Sequence, residues 1–226
     1  MGGNVTALNK VSGEKTRAEK IQIKEIGRKE FISKFIDIFK AMNKDFKKRY
    51  KRPIWVDEKI LANGFAFNGS TSFIMNPEFS DEEIVKYKPS AGDIDITIPE
   101  ELKEDLWEYL DSIEGREIIP GAIYMGSNKL TPSAIGDQIN SVIVVHFSNG
   151  IVAKAQVDFE FLPFENNAPT EWAKFSHGAS FTDAKAGIKA VHHKALIRAL
   201  VGGASLRTDI VIATPKSTPE KLVLTK

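Results

Sequence analysis

Apolar residues recur at intervals of three and four through Phe31, Phe35, Ile38, Met42 and Phe46, with Ile32 and Phe39 widening the stripe. That period predicts an amphipathic helix from Arg28 to about Tyr50, followed by a basic end and stopped by Pro53. The residues before it carry Gly, Asn, Ser and Lys without periodicity, which predicts a flexible arm over 1–27. Beyond Pro53 the pattern shortens. Ile60–Asn68 reads as a strand-like run before a turn at Asn68-Gly69-Ser70, and 77–91 reads as an excursion with Pro77, the acidic Asp81–Glu83 and Pro89-Ser90-Ala91-Gly92. Asp93–Ile98 alternates strictly, and Pro99 then opens a helix to about Ile113 with acidic residues near its start. Strand-like runs follow at 118–124, 141–148 and 151–161, and Asn149-Gly150 between the last two is a strong hairpin signal. After Pro163 a loop leads to a second helix, capped by Thr182 or Asp183, buried along Ala184, Ile188, Val191, Ala195 and Ala199, and closed by Gly202-Gly203. Asp209–Ala213 predicts one more short strand. Mixed helices and strands with a hairpin give an α+β or mixed α/β class.

Composition narrows the chemistry. The chain has 226 residues, 42 % of them hydrophobic and 27 % charged, which suits an ordinary globular protein with one sizeable domain and not a disordered chain. It has no cysteine, so disulfides, zinc–cysteine sites, iron–sulfur clusters and thiol nucleophiles are excluded. No window approaches a membrane-spanning apolar run, and the first residues lack the apolar core of a secretory signal, so the expected location is cytoplasmic. The net charge of +1 hides a segregation: 15 Lys+Arg against 6 Asp+Glu in 1–52, 7 against 20 in 53–165, and 9 against 4 in 166–226. An acidic middle between basic ends suits a metal-using site beside an anionic substrate, and equally a solvated acidic face beside a basic helix end.

Asp93-Ile94-Asp95-Ile96-Thr97-Ile98 is the informative stretch. In a strand, Asp93, Asp95 and Thr97 point one way and the three isoleucines the other, with the two aspartates about 7 Å apart at Cα. Like charges held so close are costly without a cation, and hard divalent ions prefer carboxylate oxygen. The same alternation in 151–161 puts Ile151, Ala153, Ala155, Val157, Phe159 and Phe161 inside, and Lys154, Gln156, Asp158 and Glu160 on a wet face. If the two strands are neighbours, Asp93, Asp95 and Asp158 line one cleft floor, a set that suits two Mg²⁺ ions and phosphoryl or nucleotidyl transfer. Gly69-Ser70 upstream offers a close backbone approach and a hydroxyl to phosphate.

Gly-Phe-Ala-Phe-Asn-Gly69-Ser70, then Gly-Asp93-Ile-Asp95-Ile, then Val-Asp158-Phe, resembles the DNA polymerase beta-like nucleotidyltransferase superfamily over residues 60–162. The resemblance implies an α+β fold with a small mixed sheet flanked by helices. It implies that Asp93 and Asp95 ligate both Mg²⁺ ions, that Asp158 ligates the catalytic ion and helps activate the attacking hydroxyl, and that Gly69 and Ser70 hold the triphosphate. The 23-residue step from Ser70 to Asp93 departs from the compact family spacing and is about twice as long, with 77–91 as the insertion. On this expectation residues 28–226 form one nucleotidyltransferase-like domain: an N-terminal helix 28–52, a catalytic core 53–165 and a basic helical part 166–226. The expected reaction moves a nucleoside monophosphate from a nucleoside triphosphate such as ATP to an acceptor hydroxyl. The basic ends favour a nucleic-acid 3′-end as that acceptor.

Two basic regions are candidate RNA or DNA contacts. Lys185, Lys189 and His193 recur at spacing four within 185–198, beside His192, Lys194 and Arg198, and Lys189 is the candidate phosphate contact. Lys44–Arg52 can track phosphates, with Tyr50 and Trp55 nearby to stack a base, although cations also favour a helix C-terminus for structural reasons. His177 is a candidate loop contact to substrate. His192-His193 does not read as a zinc site, because adjacent helix positions point about 100° apart. Two rivals share these residues: a metal-dependent phosphodiesterase or nuclease using water, and a non-catalytic nucleic-acid-binding or assembly protein.

Overall fold

The computed structural model describes residues 6–8, 15–112, 122–124, 138–171, 173–174, 205–206, 211–213 and 221–223. The strands β1 (Thr6–Leu8) and β2 (Lys15–Arg17) pair antiparallel. The short strand β3 (Ile21–Gln22) then leads into the helical turn α1 (Ile23–Ile26). Thr16, Ala18, Ile21 and Ile23 are buried. Within the expected flexible arm, residues 6–8 and 15–26 therefore form strands and a helical turn, because four small or apolar side chains in this stretch find cover against the rest of the chain.

The periodic stripe forms the helix α2 (Arg28–Tyr50), with Phe31, Phe35, Phe39, Met42 and Phe46 fully buried. Lys51 in the left-handed conformation ends it, its N–H bonded to Lys47 O. Each fully buried phenylalanine removes enough apolar surface from water to stabilise the fold by about 2–3 kcal/mol. Phe39 is the centre of this packing, meeting the rings of Phe67, Trp55 and Phe159 at 5.8, 6.1 and 6.3 Å.

The segment read as strand-like at 60–68 is instead a short helix, α3 (Lys59–Ala62), followed by a turn over 63–66, closed by Phe67 N–H on Gly64 O at 3.0 Å, and a short run over 67–68. Within that run Phe67 bridges Ile96 antiparallel, and Thr97 N–H and Asn68 N–H bond to Ala66 O and Asp95 O. The turn at Gly69 opens the helix α4 (Gly69–Met75). The excursion at 77–91 holds a further helix, α5 (Asp81–Tyr87), and a two-residue strand, β4 (Ser90–Ala91), which pairs with β3. Ser80 and Glu83 cap α5 reciprocally, a Ser-x-x-Glu box that stands in the sequence. The buried guanidinium of Arg28 ties this excursion to α2, donating to the carbonyls of Ile74, Asn76 and Phe79 and pairing with Asp81.

Strand β5 (Ile94–Pro99) follows, then a 3-10 turn over Glu100–Leu102 and the helix α6 (Lys103–Asp111). The principal sheet is completed by β6 (Ala122–Tyr124), β7 (Gln138–His146) and β8 (Val152–Leu162), in the order β5-β8-β7-β6. β5 and β8 are parallel, and the other two pairs are antiparallel, so the sheet is mixed. The β7–β8 hairpin turns through Asn149-Gly150, with Gly150 at φ 85°. Ile94, Ile96, Ile98, Val157, Phe159 and Phe161 are buried in the same core as the phenylalanine stripe of α2.

Beyond β8, the strands β9 (Phe164–Glu165) and β10 (Ala168–Pro169) form a small hairpin. A separate three-stranded antiparallel sheet joins β11 (Ser205–Leu206), β12 (Val211–Ala213) and β13 (Lys221–Val223). The class is mixed α+β. The expected helix over 183–201, with Lys185, Lys189, His192, His193, Lys194 and Arg198, lies outside the described residues, as does His177. Among the described residues no helix is long and apolar enough to cross a membrane.

Candidate metal centre

The register of the sheet makes the site. Asp95 of β5 lies directly beside Asp158 of β8, and Asp158 lies directly beside Asn140 of β7. With Asp93 just ahead of β5, the three aspartates offer carboxylate oxygens that all lie within 4.8 Å of one another. Opposed oxygen ligands on a divalent cation stand about 4–5 Å apart, so this set has the span and the hard-oxygen chemistry to hold a metal ion.

The electrostatics point the same way. Burial, then the charges of Asp93, Glu160 and Asp158, push the Asp95 carboxyl up to about 9, against a smaller opposing effect of Lys88. Asp158 is pushed up to about 6, chiefly by burial. Asn140 Nδ2 donates to its Oδ1 at 2.7 Å and Gln156 Nε2 reaches both oxygens at 2.9 and 3.0 Å, which favours the charged form but does not outweigh the burial. Two unit charges 4.8 Å apart repel by about 3.5 kcal/mol at an effective dielectric constant near 20. A cation between them converts that repulsion into attraction.

Asp158 is not on a wet face. It is only 6 % exposed, because Asn140 and Gln156 close over it. Thr97 is likewise fully buried and bonds through its hydroxyl to Ala66 O, so the polar face of β5 narrows to Asp95 and, just before the strand, Asp93. A merely solubilising role does not fit an aspartate covered in this way.

Gly69 stands against this cluster. It has φ 50°, and a Cβ built there would lie 3.0 Å from Asp95 Cγ and closer still to Oδ2. Glycine is therefore favoured by backbone conformation, and any side chain there would push the Asp95 carboxylate out of its place in the cluster. The long interval between Ser70 and Asp93 is filled by α4, α5 and β4, and the chain returns to the same place. Thr71 locks the two parts together: its hydroxyl donates to Asp93 O at 3.2 Å and accepts from Asp95 N–H at 3.1 Å.

Two groups join the site that the sequence pattern did not single out. Glu160 raises the pKa of both Asp95 and Asp158 and accepts from Asn68 Nδ2 at 2.7 Å. Lys174 reaches the carbonyls of Phe65 and Phe67 and Asn68 Oδ1. Glu160 was legible as the next polar position after Asp158 on the same strand face. A lone lysine in Thr-Glu-Trp-Ala-Lys174 carries no signal.

Of the remaining candidates, Lys189 lies outside the described residues. Trp55 is 1 % exposed and donates its indole N–H to Thr97 O, so it offers no face for a base; Tyr50 stacks on Phe46 at 4.5 Å and has the Arg49 guanidinium 5.4 Å from its ring centroid, so its ring is engaged within the chain. Arg52 pairs with Asp105, and Arg49 with Glu108 and Ser112, which leaves Lys44, Lys47 and Lys48 as the exposed cations of α2 toward its end. Comparison with protein-family models, with curated proteins and with solved structures finds no match to this chain.

Proposed function

We propose that this chain is a Mg²⁺-dependent nucleotidyltransferase of the polymerase beta-like type. The observation that supports it most is the convergence of three carboxylates within 4.8 Å beside Gly69, where a side chain would displace the Asp95 carboxylate. The mixed sheet with helices packed on it suits the palm-like fold of that superfamily. Bound Mg²⁺, two ions in this reading, supplies charge neutralisation on the phosphates and at the attacking and leaving oxygens.

The chain's own residues have the following roles. Asp93, Asp95 and Asp158 hold the metal centre. The backbone of Gly69 and the hydroxyl of Ser70 hold triphosphate oxygens. The acceptor hydroxyl attacks the α-phosphorus in line; the new O–P bond forms as the bond to the β-phosphate oxygen breaks, and pyrophosphate leaves. The hydroxyl proton passes to the Asp158 carboxylate, which Asn140 and Gln156 hold in orientation. The acceptor favoured is a nucleic-acid 3′-end, approached along the lysines of α2.

The test is transfer of label from α-labelled ribo- and deoxyribonucleoside triphosphates, with Mg²⁺, to RNA and DNA. Label on one acceptor class, lost by at least about a hundredfold in Asp158→Ala, supports the reading. Label retained in Asp158→Ala overturns it. Release of mononucleotides without any triphosphate requirement would replace it by hydrolysis at the same carboxylates.

A further inference from the structure

Lys174 lies in the helical residues after the β9–β10 hairpin, its N–H bonded to Thr170 O at 2.9 Å. Its side chain runs back to the segment leading into Gly69. There the ammonium donates to Phe65 O at 2.9 Å, to Phe67 O, and to Asn68 Oδ1 at 3.4 Å. An ammonium has three N–H donors and no acceptor, so these three oxygens saturate it.

Asn68 is fully buried, and its neighbours dictate which way its amide faces. Lys174 can only donate and an ionised Glu160 can only accept, so Oδ1 turns to the lysine and Nδ2 to the carboxylate. The backbone of Asn68 is bound as well: its N–H donates to Asp95 O at 3.0 Å, and its carbonyl accepts from Ser72 N–H at 2.9 Å. The residue that precedes Gly69 is thus held from both sides, by Lys174 and Glu160 on its side chain and by β5 and α4 on its backbone.

We propose that Lys174 is a positioning residue for the triphosphate: through Phe65, Phe67 and Asn68 it fixes the Gly69–Ser70 segment against the aspartate cluster. This rests on the nucleotidyltransferase reading of the same site. Because its three donors are taken inside the protein, Lys174 acts on the segment and not on phosphate directly. Burial lowers its pKa to about 8 while Glu160 opposes the shift, so the ammonium keeps its charge and its three protons at neutral pH. The turn over 63–66, closed by Phe67 N–H on Gly64 O at 3.0 Å, leaves the carbonyls of Phe65 and Phe67 facing one ammonium, whose tetrahedral donors reach both.

The test compares the wild-type chain with K174M, which keeps most of the unbranched stem, one atom shorter, and loses every donor. Amide exchange is read at Asn68 and Ser72, whose N–H groups report the segment. Mn²⁺ binding is read alone and with inorganic tripolyphosphate. K174M is expected to exchange both amides at least about tenfold faster, with Ile96 and Phe159 unchanged. Its Mn²⁺ affinity should stay within about twofold, while tripolyphosphate binding weakens by about tenfold or more. A merely structural loss would lower both affinities together. Wild-type exchange rates at Asn68 and Ser72, or tripolyphosphate affinity unchanged from wild type, would overturn the proposal. Should K174M not fold, K174Q is read in the same way. If the wild-type chain binds no tripolyphosphate, the nucleotidyltransferase reading falls, and the exchange rates still decide what Lys174 does to the segment.

Discussion

Asp95 is the residue on which stability and function pull apart. Its folded pKa of about 9 lies far above its ordinary 3.8, so between those values the folded chain binds more protons than the unfolded one. Stability is then greatest below about pH 4 as far as this group is concerned, and is lost as pH rises toward 9. Asp158 adds the same sign of dependence up to about pH 6. Asp95→Asn keeps the shape and removes the cost of taking up a proton, or burying a charge, when this carboxyl folds above its ordinary pKa. Measured by thermal melting at pH 8 without divalent ions, that variant is expected to melt several degrees above wild type. Adding Mg²⁺ should raise the wild-type midpoint and leave the variant nearly unmoved. A wild-type midpoint that rises steadily from pH 5 to 9 would contradict the account.

At the scale of elements, the site is a junction of α4 and β5, and Thr71 makes the joint. Thr71→Val keeps the volume and leaves the Asp93 carbonyl and the Asp95 amide without that partner, a loss of about 1–3 kcal/mol by urea denaturation. Thr71→Ser retains the hydroxyl and should recover most of it. The same comparison should appear in Mg²⁺ affinity, because the bond sets the backbone from which two ligands project. Equal stability of the Val and Ser variants would show that the joint is not where the aspartates are held. Which elements form was readable in large part. The stripe of α2 and the alternation of β5 and β8 follow from burial at periods of 3.6 and 2. The helix α5 was missed although Ser80 and Glu83 spell its cap, because the nearby prolines argued for a loop. The helix α3 was missed because its apolar residues are too few to show a period.

For the whole molecule, the charge segregation along the chain partly cancels in space. The acidic α6 meets the basic end of α2 through Asp105–Arg52 and Glu108–Arg49. The surface left for a polyanion is narrower than the run Lys44–Arg52 suggests. If a nucleic acid binds there, replacing Lys47 and Lys48 with alanine should lower the slope of log affinity against log salt by about 1.8 for duplex DNA. Replacing Arg52 should instead cost stability, since Arg52 is engaged with Asp105. An unchanged slope in the double lysine variant would move the acceptor to another face.

The order of residues by itself determined the amphipathic helix, the two site strands and which of their side chains share a face, because periodicity is a local property of the backbone. It also named the three aspartates and the glycine. Only the tertiary structure decided that β5 and β8 are parallel neighbours with Asp95 beside Asp158, since strand pairing joins residues 63 positions apart and no local pattern encodes it. It decided too that Asp158 is covered, that Trp55 is core, and that Lys174 holds the segment before Gly69. Each of those depends on what the chain brings from far away to fill the space around a side chain, and burial of that kind has no period.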